Sequence, residues 1–490
     1  MLAAAWAISA VISVAGNEDS PKDTTSFFFS SQIRRKAAML LIQSALCLIW
    51  LKQAALVLIG VALGNLALLQ IRSNGEASKR DRLIKWSCIL LTLSPLLALK
   101  GMPILNWTTL LLNFALSFFC LQQLGAVLDR FNPFLSSKRA SGHEVRTKSD
   151  SLFESDDLLD WLNFSIFFPT LLIGPILRWG EFQDRYANPA SWRWSNALHA
   201  VAYAVQAIFR RGVLAAPFGA WGVGLLKNAS ELGFLGWSFA AITLRWSLYH
   251  DFGAQVDLSR AVAAHLGFEL PVNFRQPFAA RSILDFWRRW HVSLSSWIRD
   301  FVYLPILYGP MRCLPSRLSV TLAAMIAFAL FGLWHQFSWA MILMGSWEAF
   351  GVLFESQFRS NGHGRLSKLV GLTANAFLLL LFVFWPTLLF HVSPNDFFNS
   401  LVSLTDWRLG EDLAMISAAA PWRWEAYVLI SMVWFAAGEW KESNFEVGFM
   451  LWKTYTRRPL FVLLIALFMI ASVFVWAQFP QSISLPYLSM

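Results

Sequence analysis

The chain has 490 residues, of which 56% are hydrophobic and only 14% charged, and it carries 25 tryptophans and 42 phenylalanines. So apolar a balance excludes an ordinary water-soluble domain and makes lipid the main solvent. The net charge of +10 does not mark a nucleic-acid binder, because the basic residues stand in short clusters between apolar runs, where they act as topology signals.

Taken in chain order, the first fifteen residues are apolar but have no Lys or Arg before them, unlike a cleavable signal peptide, so a short span and an interfacial segment both stay open. Apolar runs follow from Ala37 to Leu51, Ala54 to Leu69, Cys88 to Leu99 and Trp107 to Leu121. Most runs of this kind approach the ~20 residues that a helix needs to cross a hydrocarbon core. They lack the alternation of a membrane barrel, and backbone groups in lipid must pair internally, so the spans are predicted to be helices. Arg34, Arg35 and Lys36 stand on one side. Arg72, Lys79, Arg80, Arg82 and Lys85 come two spans later, and Arg130, Lys138, Arg139, Arg146 and Lys148 two spans after that. Every second loop is basic, which assigns these loops to the cytoplasm.

The stretch Asn132 to Asp160 is the one long polar linker, and no period of roughly 20 to 50 residues recurs, so residues 1–490 are expected to form a single domain. Between Trp161 and Glu181, Pro169, Gly174 and Pro175 interrupt the apolar pattern and predict re-entrant backbone covered by protein. From Arg281 to Phe301, Ile283, Phe286, Trp287, Trp290, Leu294, Trp297 and Phe301 recur at helical spacing while Arg288, Arg289 and Arg299 lie to the sides, the pattern of an amphipathic interfacial helix. Leu318 to Phe358 is apolar for about twice the ~30 Å of a hydrocarbon core, so it crosses twice or breaks. Gly332, His335, Gln336 and Ser338 mark the interruption. Further runs extend from Leu369 to Val392, Trp424 to Ala437 and Pro459 to Phe479, with basic loops at Arg312 and Arg317, at Arg359 to Lys368 and at Lys441 to Arg458. The acidic segment Ser393 to Ala420 suits an external loop. Cys47, Cys88 and Cys120 fall in apolar runs and Cys313 in a basic loop, so no disulfide framework or CxxC metal pair is visible.

Ionisable groups within spans are costly unless they face a cavity or find a partner. His335 is the strongest such case: it is either a histidine hydrogen-bonded to a neighbouring helix or a neutral imidazole that takes a proton from an attacking hydroxyl. His291 interrupts the apolar stripe of the Arg281–Phe301 segment. That segment is either a surface anchor with an incidental histidine or, through its arginines, a holder of a phosphate-bearing donor such as a coenzyme or carrier arm.

The stretch Asp285-Phe-Trp-Arg-Arg-Trp-His-Val-Ser-Leu-Ser-Ser-Trp-Ile-Arg-Asp-Phe-Val-Tyr-Leu-Pro305 resembles the signature of the bacterial branch of the membrane-bound O-acyltransferase family, the branch of alginate O-acetylation and teichoic-acid D-alanylation proteins. Tyr249, Asp251 and Phe252, then Leu266-Gly267-Phe268, Pro271-Val272-Asn273-Phe274 and Pro277-Phe278, are similar to the approach to that signature. Phe168-Pro169 with Gly174-Pro175-Ile176 and Arg178 resembles an earlier element, and Gly332-Leu333-Trp334-His335 resembles the family's catalytic histidine motif. The resemblance runs from about Leu116 to Gly351. Gln336-Phe337 stand where small residues are common, and Glu348 stands roughly where a further histidine is common, either as a satisfied polar contact or as a lining of the tunnel.

By resemblance, the fold is all-α, a polytopic transmembrane bundle of roughly ten or more helices with re-entrant and interfacial helices around a central tunnel, in the bacterial cytoplasmic membrane. His335 corresponds to the essential intramembrane histidine and His291 to the second one. The donor site or tunnel is expected to include Arg288, Arg289, Trp287, Trp290, Ser293, Ser296, Trp334, Asp251 and Asn273. The implied reaction passes an acyl group, preferably acetyl, from a cytoplasmic thioester to a hydroxyl of an extracytoplasmic polysaccharide or partner protein. Acetyl coenzyme A or an acyl carrier protein would supply it, an exported acetyltransferase would complete it, and no tightly bound cofactor or metal is implied. D-alanyl transfer is the nearest alternative. A transporter or lipid-linked-sugar flippase would share the spans but would call for internal symmetry and paired broken helices, which the sequence does not display.

Overall fold

The structure is a computed structural model that describes residues 31–51, 53–71, 79–100, 107–131, 155–171, 174–187, 194–358, 375–420 and 425–431. The expectations for residues 1–15, for the basic clusters at 138–148 and 359–368, and for everything beyond 431 lie outside the described residues. Among the described residues every regular element is helical. They form two compact units: one reaches Tyr203 and includes Leu258–Pro271, and the other holds Ala204–Asp257 and the residues from Val272 onward.

The first unit contains α1 (Ser31–Leu51), α2 (Gln53–Gln70), α3 (Lys79–Lys100), α4 (Trp107–Arg130), α5 (Ser155–Ser165) and α6 (Trp179–Ala187). Its interior is apolar, with Trp161, Phe164, Phe167, Phe182 and Phe268 packed together and Leu58, Ala62, Phe119 and Ile166 in a second cluster. An unpaired amide in such surroundings is expensive, so the buried polar side chains find one another. Gln43 donates to Asn163 Oδ1 at 2.8 Å and accepts from the Phe168 amide at 2.9 Å. Gln123 donates to Ser165 Oγ at 2.7 Å, and Asn65 to Thr92 Oγ1 at 2.8 Å. Lys36, part of a basic cluster in the sequence, is buried with its Nζ 2.8 Å from Asp160 Oδ1, so it also pins α1 to α5.

The Pro/Gly-rich interruption is a buried break in the helical backbone. After α5 one helical turn, Phe168–Leu171, is followed by non-helical Gly174–Arg178, of which residues 174–177 are buried. The Gly174 amide donates to Thr170 O at 3.0 Å, and a Cβ on Gly174 would lie 2.4 Å from Thr170 Cα, so this close turn requires glycine.

Next come α7 (Trp194–Phe209), a π-turn over Arg210–Ala215, α8 (Ala216–Leu226) and α9 (Phe234–His265). Beyond them lie α10 (Ile283–Arg289), α11 (Val292–Ile298), α12 (Ser316–His335), α13 (Trp339–Phe358), α14 (Pro394–Val402) and α15 (Leu409–Ala419). Among the described residues only α12 is long and apolar enough to cross a membrane by length and composition; Lys36–Ile49, Ala54–Gln70, Leu158–Leu171 and Asn375–Phe390 are shorter apolar helices.

The apolar stretch from Leu318 to Phe358 is a helical hairpin. Its break lies at Gln336, which is extended (φ −154°, ψ 139°), and not at Gly332, which sits inside α12. Gly332 serves packing instead: a Cβ there would meet Met341 O at 1.9 Å, and one on Gly345 would meet Phe328 O at 2.0 Å. Two glycines on facing helices let the backbones touch, and any side chain would force them apart. The acidic 393–420 segment is folded, with α14 capped by Ser393, whose hydroxyl accepts from the Asp396 amide at 3.2 Å. Asp412, buried, accepts from the amides of Gly233 at 2.8 Å and Leu235 at 3.1 Å, satisfying donors at the start of α9. Its carboxylate faces inward, whereas Asp396 and Glu411 of the same segment are exposed.

Gly332→Ala is expected to lower stability by about 1–3 kcal/mol through overpacking. Thermal unfolding in detergent checks this, with Gly60→Ala, whose added Cβ meets nothing within 4 Å, as the near-neutral control.

Candidate active site

The Arg281–Phe301 segment is not one continuous amphipathic helix. Ser282 caps α10 by accepting from the Asp285 amide at 2.8 Å, Asp285 accepts from the Arg281 amide at 3.0 Å, and the helix ends after Arg289. The chain then turns through His291, which adopts a left-handed conformation (φ 43°, ψ 53°), before α11 begins. A positive φ is uncommon for a residue with a side chain and persists only where its surroundings fix it. Here Asn273 does so: its carbonyl accepts from the Val292 amide at 2.8 Å, and its Oδ1 accepts from the Ser293 amide at 3.1 Å and from the Ser293 hydroxyl at 2.9 Å.

The turn carries His291 into the protein interior, and the apolar stripe follows it. Ile283, Phe286, Trp287, Trp290, Leu294 and Trp297 are all buried, so the face that suggested a membrane-surface anchor packs against protein. The His291 ring lies edge-on to Phe252, with centroids 4.6 Å apart, and neither ring nitrogen meets a hydrogen-bond partner among the described residues.

His335, the last residue of α12, is half-buried. Trp334 stands between the two histidines, its ring centroid 4.7 Å from that of His335 and 6.1 Å from that of His291. Phe331 and Phe390 close around His335 at 5.1 and 5.9 Å. Both imidazoles face one narrow cavity lined by Arg245, Leu248, Phe252, Trp287, Trp290, His291, Phe331, His335, Met344, Glu348 and Phe390. The wall is mostly aromatic and aliphatic, with a few polar groups converging on it, as in many small-molecule sites.

Of the expected donor or tunnel residues, Trp287 and Trp290 line this cavity and Trp334 borders its histidines. The others are elsewhere. Arg288 is exposed, and half-buried Arg289 pairs with Asp285 at 2.9 Å one helical turn away. Ser293 is held by Asn273, and the Ser296 hydroxyl donates to Ser293 O at 3.0 Å. Asp251 is buried, accepting from Gln255 Nε2 at 3.2 Å with Arg211 Nε 3.7 Å away. Asn273 and Asp251 thus organise the walls and do not line the cavity. Glu348 does line it, opposite Arg245, which the motif reading passed over; a cation inside the apolar run of α9 was the available signal.

The described residues thus place two histidines on one apolar cavity within helical surroundings. Residues 88–388 match the model of the membrane-bound O-acyltransferase family, and the chain belongs to that family. It is 30% identical over 250 residues to a peptidoglycan O-acetyltransferase of Helicobacter pylori, covering 48% of this chain and 46% of the relative. It is 31% identical over 295 residues to a teichoic acid D-alanyltransferase of Streptococcus thermophilus, covering 56% and 65%, and 26% identical over 255 residues to a probable alginate O-acetylase of Azotobacter vinelandii, covering 51% and 46%. The chain thus spans about half to two thirds of the length of these relatives.

Asn273→Ala removes the shared acceptor for both Ser293 donors and is expected to cost about 1–3 kcal/mol. Asn273→Asp keeps an oxygen at that place and should lose less, as measured by thermal unfolding of the two variants side by side.

Proposed function

We propose that this chain is a polytopic membrane acyltransferase that moves a small acyl group, acetyl by preference, from a cytoplasmic thioester to a hydroxyl of a cell-envelope polymer or of a partner that relays it. The observation that carries this reading is the placement of His335 and His291 on one cavity with an apolar wall. Family membership and relatives named for O-acetylation support the same chemistry.

His335 is the base. The acceptor hydroxyl attacks the acyl carbon while the imidazole takes its proton, and the aromatic wall limits competing attack by water. Trp334 packs against His335 and restricts its ring, and His291, fixed by its turn, faces the same space. The roughly ten-helix bundle with a central tunnel, the bacterial cytoplasmic membrane, the carrier-borne donor and the exported partner belong to this proposal as the surroundings it requires. D-alanyl transfer is the second reading, favoured by the teichoic acid D-alanyltransferase of which this chain covers 65%.

The test supplies purified protein with labelled acetyl and D-alanyl thioesters and hydroxyl acceptors. His335→Ala is expected to cut transfer by about 10²- to 10⁴-fold at normal membrane expression. Undiminished transfer by that variant defeats the assignment, and the label that moves decides between the two acyl groups.

A further inference from the structure

We propose that Arg245 is a second catalytic residue of this site, donating to the acyl carbonyl oxygen, and that Glu348 is the positioning residue that aims it. The inference rests on the acyl-transfer reading above and adds to it the group that receives the developing negative charge.

Arg245 is 3% exposed and Glu348 1%, and both line the cavity that holds His335. Their closest approach, Arg245 Nη1 to Glu348 Oε1, is 3.9 Å, a Coulombic contact too long for a hydrogen bond. Arg245 Nη1 donates to Thr387 Oγ1 at 3.2 Å, while Nε and Nη2 have no hydrogen-bond partner among the described residues. Those two nitrogens form the side-on edge of the guanidinium, the pair of parallel donors suited to an oxygen. Both Glu348 oxygens likewise lack hydrogen bonds.

A buried ion pair repays its desolvation only when its remaining donors and acceptors are satisfied, and this one is left short on both sides. It is nevertheless held in place. The guanidinium carbon lies 4.1 Å from the Trp290 ring centroid and 5.2 Å from that of Phe286, which keeps it against two aromatic rings. A rigid, partly satisfied cation on the wall of an apolar cavity is poised for an oxygen that gains charge during reaction.

The acceptor oxygen forms a bond to the acyl carbon, its proton passes to His335, and the carbonyl π pair moves onto the carbonyl oxygen, where the Arg245 fork stabilises it. When that pair returns to re-form the carbonyl, the carbon–sulfur bond breaks, and the departing thiolate takes the proton from the His335 imidazolium. Glu348 takes no part in these proton transfers; its carboxyl stands 3.9 Å from Arg245.

The test compares the full chain with Arg245→Met, Arg245→Lys, Glu348→Gln and the double variant Arg245→Met/Glu348→Gln, using His335→Ala in the same assay. Arg245→Met is expected to lower kcat by about 10²- to 10³-fold with a smaller change in KM. Glu348→Gln should lose less. The double variant leaves no charge unpaired, so it should unfold near the wild-type temperature yet transfer as slowly as Arg245→Met. Arg245→Lys, which keeps the charge but not the fork, should also show a reduced kcat. Wild-type kcat in either the double variant or Arg245→Lys overturns the proposal and leaves the pair a structural element. If His335→Ala also transfers normally, the acyl-transfer reading falls; if His335→Ala is inactive, only the role of Arg245 does.

Discussion

The backbone contact between α12 and α13 is the constraint on which the rest of the site depends. Gly332 against Met341 O and Gly345 against Phe328 O bring the two helices together without intervening side chains. With the helices at that distance, His335 at the end of α12 and Met344 and Glu348 on α13 line the same cavity. A larger residue at either glycine would move the two halves of the wall apart. Packing that looks remote from chemistry therefore sets the distances that chemistry needs.

A second device brings the other histidine in. The left-handed turn at His291 is unfavourable by itself and is sustained by three hydrogen bonds to Asn273. Through it, a segment with the composition of a surface helix becomes two short helices with their aromatic residues turned inward. Charge is handled in the same manner, by pairing inside the protein: Arg210 Nη1 lies 2.9 Å from Asp257 Oδ2, and Lys36 lies equally close to Asp160. Apolar surroundings make each of these pairs costly to break, which ties the helices that carry them to fixed positions.

Much of this was legible in the residues. Apolar runs near ~20 residues long predict helices, and the helices are there at 31–51, 53–70 and 316–335. The proline and glycine pair at 174–175 announced a break in the backbone, and Trp334-His335 announced one wall of the cavity. What stayed hidden depends on contacts between distant residues. Periodicity over 281–301 cannot register a single residue with positive φ, because the bonds that hold it come from Asn273. Nor can it tell a stripe that faces lipid from one that faces protein, since both are apolar. Arg288 and Arg289 drew attention because they sit inside a motif, yet they face away from the cavity, whereas Arg245 sits in no motif and faces into it. Lys36 and Asp412 show the same limit: each looked like a surface charge, and each is buried against a partner far away in sequence.

The central claim is that the cavity beside His335 receives the acyl group. The most direct measurement is a cryo-electron microscopy map of the full chain with a non-cleavable donor analogue, a ketone in which a methylene replaces the thioester sulfur. The account predicts the carbonyl carbon within the cavity, in contact with His335. An analogue seated elsewhere, with this cavity unchanged and empty, would contradict it.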